Sequence, residues 1–68
     1  MNGDKFNMEI RKFLKKVGII SQRDISKAVV KAIVDGKLSG SETIIAKIKL
    51  ELPEVDLEIE IDGYIALE

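Results

Sequence analysis

Asp56, Glu58, Glu60 and Asp62 alternate along one short stretch that ends in Gly63, and a run of carboxylates closed by glycine is the first place to look for a bound cation. A calcium loop curls its ligands inward, with a glycine at its sixth position and a glutamate at its twelfth. Here Leu57, Ile59 and Ile61 interleave the acids. That pattern sets the carboxylates on a flat, solvated strand face about 7 Å apart, too wide for one tight site. As a glycosidase pair, the same acids would need a pocket that drives two carboxyl pKa values apart, and the pattern builds none. Ser26 or Ser39 could act as a nucleophile only beside a desolvated lysine, and no lysine is expected to be buried. Gly36-Lys37-Leu38-Ser39-Gly40-Ser41 has the composition of an anion-binding loop. It lacks the preceding strand, the following helix and the G-x-x-x-x-G-K-[ST] order, so it reads as a connector. There is no cysteine and no histidine, which removes disulfides, thiolate sites, the commonest general base and the commonest transition-metal ligand. The expectation is a protein that is not an enzyme, with no catalytic, metal or cofactor-binding residue and no cofactor.

The cations are the second set. From Met1 to Leu38 nine basic residues stand against four acids, about +5; from Ser39 to Glu68 two lysines stand against eight acids, about −6, within a net charge of −1. Arg11, Lys12, Lys15, Lys16, Arg23, Lys27 and Lys31 form the candidate basic surface. Such a surface suits nucleic acid or acidic lipid, and equally a solvated helix face whose cations favour a helix C-terminus. The solvated face is preferred, with nucleic acid disfavoured and no membrane partner.

These residues must be positioned by elements that a chain of 68 residues can stabilise, close to the lower limit for a single core without staples. The reading is one domain, 1–68, divided into a basic two-helix half (1–36), a Gly/Ser-rich linker (37–43) and an acidic β half (44–68). Phe6, Ile10, Phe13, Leu14 and Val17 make one apolar stripe at helical spacing. Asp4 is placed to cap this helix and Gly18 to end it in a left-handed C′ position, with Leu14 and Ile19 as the accompanying apolar pair. Ser21 then reads as a new N-cap with Asp24 at N3 and Ile20 and Ile25 as a staple. Ile25, Ala28, Val29, Ala32 and Ile33 form the second stripe, and Gly36 the stop. Helices near 5–17 and 22–35 are expected to fold back on one another.

The period then changes to two. Ala46, Ile48, Leu50 and Leu52 alternate with charges, as do Leu57, Ile59 and Ile61, which is the strand signature. Strands at 45–51 and 56–61 are expected to pair through a Pro53-Glu54 turn and to pack on the helices. Asp62-Gly63 signals a second hairpin turn, with Tyr64–Leu67 as a short third strand. Pairing Leu52 with Val55 would set Lys49 against Glu58 and Lys47 against Glu60, and also Glu51 against Asp56. The fold class is α+β, a helical hairpin followed by a small antiparallel two- to three-stranded sheet (ααβββ). The alternative makes Ser41–Leu50 a third helix, giving a winged-helix or helix-turn-helix nucleic-acid reader. The acidic would-be wing and a pI of about 5.4 count against it.

The run Phe6-Asn7-Met8-Glu9-Ile10-Arg11-Lys12-Phe13-Leu14-Lys15-Lys16-Val17-Gly18, then Ser21-Gln22-Arg23-Asp24-Ile25, then Asp62-Gly63-Tyr64-Ile65-Ala66-Leu67-Glu68 resembles a family of short bacterial proteins, about 65–70 residues long, of unknown function. The likeness spans nearly the whole chain. It implies a stand-alone bacterial domain and carries over no activity, ligand or site residue.

Apolar residues remain after both helix stripes and the inner strand face are filled. Among Ile19, Val30, Val34, Ile45, Ile65 and Leu67, the candidate interaction surface is Val30, Val34, Ile65 and Leu67, with Ile65 and Leu67 expected on the sheet face opposite Ile61. A contiguous apolar group suggests an interface, and dimerisation adds core to a small domain. The functional expectation is a small non-catalytic protein-interaction module, self-associating or bound to another protein. With no apolar run near membrane-spanning length and no signal-peptide pattern, the expected location is the cytoplasm.

Overall fold

A computed structural model describes all of residues 1–68 as an α+β chain: helix α1 (Gly3–Val34), strand β1 (Thr43–Leu52), a 3-10 turn (Pro53–Val55) and strand β2 (Leu57–Ala66). The chain divides into two units, Met1–Lys37 and Leu38–Glu68. No side chain in either unit is fully buried.

The first unit is one continuous helix of 32 residues, about 48 Å long at 1.5 Å per residue. The expected pair of helices is therefore corrected, and with it the helical hairpin. Gly18 keeps ordinary helical backbone, since the glycines at positive φ are Gly36 (77°) and Gly40 (101°). Breaking the helix at Gly18 would strand the last carbonyls of one segment and the first N–H groups of the next. A glycine kept inside a helix costs only about 1 kcal/mol relative to alanine, and no proline follows to force a stop. Ser21 accordingly sits mid-helix rather than at a cap. The N-cap is Asn2, whose Oδ1 accepts from the Lys5 N–H at 3.1 Å, and Asp4 lies in the first turn instead. The other end matches the glycine stop. Lys37 N–H donates to Ala32 C=O at 2.8 Å and Gly36 N–H to Ile33 C=O at 3.1 Å, the paired bonds of a Schellman ending.

The second unit is a two-stranded antiparallel ribbon. Thr43 pairs with Ala66, and the register runs without a bulge to Leu52 opposite Leu57. Ser41–Leu50, the third helix of the winged-helix alternative, is mostly strand, so that alternative loses its scaffold. Nor is there a third strand: β2 runs straight through Asp62-Gly63, with Gly63 opposite Ala46. A turn at Asp62-Gly63 would leave Ile44 and Ile45 unpaired. Continuing the ladder sets them against Ile65 and Tyr64, and cross-strand pairs of that kind are what stabilise a ribbon. The closing loop is longer than a Leu52–Val55 turn. It spans Pro53 to Asp56, with Asp56 in the left-handed region at φ 55° and its N–H donating to Pro53 C=O at 3.3 Å. The register shifts by two residues as a result. Lys49 faces Glu60 and Glu51 faces Glu58, yet Lys49 Nζ still reaches Glu58 at 2.9 Å and Lys47 Nζ reaches Glu60 at 3.9 Å, both diagonally.

Candidate interaction surfaces

Alternation gives the ribbon two unlike faces. One carries Ile44, Ala46, Ile48, Leu50 and Leu52 against Ile65, Gly63, Ile61, Ile59 and Leu57. The other carries Lys47, Lys49 and Glu51 against Asp62, Glu60 and Glu58, with Ile45 opposite Tyr64 at one end. Because β2 is unbroken, Ile65 shares a face with Ile59 and Ile61, and Leu67 follows in the same alternation with its N–H bonded to Glu42 C=O at 2.9 Å. This corrects the expectation that they point to the opposite side; Tyr64 does so instead, 79% exposed.

On α1, Val30 and Val34 lie one turn apart, and Val34 is 78% exposed. The proposed surface residues are thus distributed, two in the helix and two in the ribbon unit. The helix's main stripe is also uncovered: Phe6, Phe13 and Leu14 are each about half exposed. Phe13, Lys16, Val17, Ile20 and Ser21 border a depression of about 260 Å³ on the helix surface. Continuity of α1 turns the two stripes into one band that drifts by roughly a quarter turn between the Phe6–Val17 set and the Ile25–Ile33 set.

Continuity also aligns cations. Lys12, Lys16, Arg23, Lys27 and Lys31 fall at intervals of four and seven residues along one ridge, while Arg11 and Lys15 sit to one side. Arg23 Nε lies 3.7 Å from Asp24, both well exposed, a contact worth little in water. Glu58, Glu60 and Asp62 line up on the polar ribbon face, and no group of three or more His, Cys, Asp or Glu is gathered as a metal could use it.

The most constructed polar feature is in the connector. Glu42 turns back on the loop, accepting from the Ser39 N–H at 2.7 Å and the Gly40 N–H at 2.9 Å, while the Ser39 and Ser41 hydroxyls lie 2.9 Å apart. The loop's donors are therefore filled by the chain's own carboxylate. Those donors, the Ser39 N–H first, hold the Glu42 carboxyl well down, from 4.5 to about 2. Sequence reasoning missed Glu42, although Ser39-Gly40-Ser41-Glu42 has the S-x-x-E spacing of a capping box. The signal was masked because a strand follows it. A folded-state pKa lowered in this way contributes stability above the unfolded value, and that contribution disappears as pH falls through about 2. The Glu42 carboxyl carbon, followed by NMR, should titrate with a midpoint near 2, and the Ser39 and Gly40 amides should shift with it. Glu42→Gln should abolish the coupled amide shift.

What fold and surface together define is a small α+β protein, an amphipathic helix and an amphipathic ribbon, with no helix long and apolar enough to cross a membrane. The chain belongs to DUF6494, a family of unknown function, whose model matches residues 1–68. Comparison with curated proteins and with solved structures finds no match.

Proposed function

We propose that this protein is a non-catalytic protein-interaction module that associates through its apolar faces. One observation carries the reading: the helix and the ribbon each present an apolar face along their length, and neither unit buries a single side chain. Monomeric proteins rarely leave contiguous apolar surface of this extent in water. Sedimentation or light scattering from micromolar to millimolar concentration tests it. Mass should rise with concentration, and Ile33→Glu on the helix stripe or Leu67→Glu on the ribbon face should lower association while far-UV circular dichroism retains the helix. A chain that stays monomeric throughout, and captures no partner, overturns the reading.

A second reading, nucleic-acid binding, is favoured by the ridge of Lys12, Lys16, Arg23, Lys27 and Lys31 that a continuous helix creates. Against it stand the acidic ribbon and the overall negative charge. The expected result is no duplex or single-strand binding at physiological salt. Micromolar binding that weakens steeply with salt, and is lost in Lys12→Ala, Lys16→Ala and Arg23→Ala, would reverse the preference.

A further inference from the structure

An antiparallel ladder fixes which backbone groups face outward. The Leu67 N–H to Glu42 C=O bond makes that couple a hydrogen-bonded pair, and such pairs recur every second residue. In the observed register, Ile44, Ala46, Ile48, Leu50 and Leu52 therefore bond inward to β2. Thr43, Ile45, Lys47, Lys49 and Glu51 direct their N–H and C=O groups to the free edge of β1. On the opposite edge, Glu58, Glu60, Asp62, Tyr64 and Ala66 do the same for β2.

The two edges differ in what they allow. Antiparallel pairing of β2 with another β2 would set Glu58, Glu60 and Asp62 against the same acids, and like charges directly opposite are destabilising. Charged residues on an edge are a usual protection against such pairing. The β1 edge carries both signs, Lys47 and Lys49 beside Glu51. A two-fold axis at Leu50 sets each Lys49 opposite the partner's Glu51, and Leu50 opposite the partner's Leu50. Neither β1 nor β2 contains a proline or a bulge, so this pairing runs over Ile48–Leu52 and stops where Lys47 meets the partner's Pro53. The ribbon also has a need: a lone two-stranded hairpin is marginal in water, whereas three or more strands with an apolar face are not.

We propose that a second copy of this chain pairs along the Ile48–Leu52 end of the β1 edge, strand antiparallel to strand, making one four-stranded sheet whose apolar face continues from one copy to the other through Ile48, Leu50 and Leu52. This rests on the interaction-module reading and specifies its partner and its contact. The charge pattern selects the second copy: β1 is complementary to itself about Leu50, and the acidic edge of β2 is left outermost.

Backbone chemistry supplies the test. Proline at an outward position removes an edge donor while the β1–β2 ladder keeps its own bonds. In sedimentation of the full chain, Lys49→Pro should raise the dimer dissociation constant roughly tenfold or more, because two-fold symmetry removes two bonds at once. Glu60→Pro, the matching change on the β2 edge, should leave it within about twofold. If Lys49→Pro disturbs the ribbon, as read from amide exchange at Ile48 and Leu50, a chemically assembled chain N-methylated at the Lys49 amide replaces it. In the dimer the outward amides of Lys49 and Glu51 should exchange slowly, and those of Glu58 and Glu60 fast. A dimer indifferent to Lys49→Pro but weakened by Ile48→Asp overturns the edge contact and leaves the module reading in place. A chain monomeric at millimolar concentration, its helix and ribbon covering one another, overturns both.

Discussion

Replacing Gly18 with alanine should stabilise the helix by about 0.5–1 kcal/mol, and replacing it with proline should cost about 3 kcal/mol or more. The sign of the alanine effect separates two structures that the sequence alone allows. In a continuous α1, Gly18 has helical backbone and open space where a Cβ would go, so alanine reduces the entropy lost on folding without any clash. If Gly18 instead ended a first helix in a left-handed C′ position, alanine would be strained there and stability would fall. Proline removes the N–H of a mid-helix residue and crowds the carbonyl one turn back. Thermal unfolding followed by far-UV circular dichroism, on the parent and both variants, reads the difference directly. A destabilising alanine restores the two-helix description.

Placing a charge in the centre of the ribbon's apolar face should have the largest effect on association. Ile48 faces Ile61 midway along the ladder, and the two are respectively 44% and 56% exposed. Covering what remains exposed of each isoleucine contributes about 1 kcal/mol, and an aspartate there must also be desolvated, at a further cost of about 1–3 kcal/mol. Ile48 also neighbours the β1 edge, opposite the partner's Leu52 in the proposed pairing, so Ile48→Asp should weaken association by roughly 30-fold or more and Ile61→Asp, one strand further from that edge, by less. Ile45→Asp alters the opposite, polar face and should weaken it far less. Concentration-dependent light scattering on the three variants checks this ordering. Equal losses in all three would show that association does not use the apolar face.

The first prediction tests a place where local signals and the structure diverge, and the second a face on which they agree. Period-two alternation from Ala46 to Leu52 and from Leu57 to Ile61 was legible as strand, and the Gly36 stop as a helix end, because each depends on residues within a few positions. So was the division into a basic first half and an acidic second half, which is composition alone. The family resemblance agrees with the membership that the full-length match establishes. Legible too is an excess of apolar residues, although a turn at Asp62-Gly63 would put Ile65 and Leu67 on the other ribbon face from the one they occupy.

Gly18, Ser21 and Asp62-Gly63 carried equally good local signals and were overruled. A helix stop or a hairpin turn is favoured by about 1 kcal/mol of cap or turn chemistry, whereas continuing an existing ladder keeps a whole series of backbone hydrogen bonds in place. At Gly18 the helix ladder prevails. At Gly63 the ribbon ladder prevails, because Ile44 and Ile45 on the distant strand supply partners for Ile65 and Tyr64. The alignment of cations on one ridge and the side of the ribbon on which Ile65 lies follow from those choices, and the turning of Glu42 onto the Ser39 and Gly40 amides from local bonds within the connector. Sequence by itself therefore determined which residues are apolar, which are charged and what period they keep. The tertiary structure decided register and continuity, since each depends on whether a backbone group finds its partner and not on the residue that carries it.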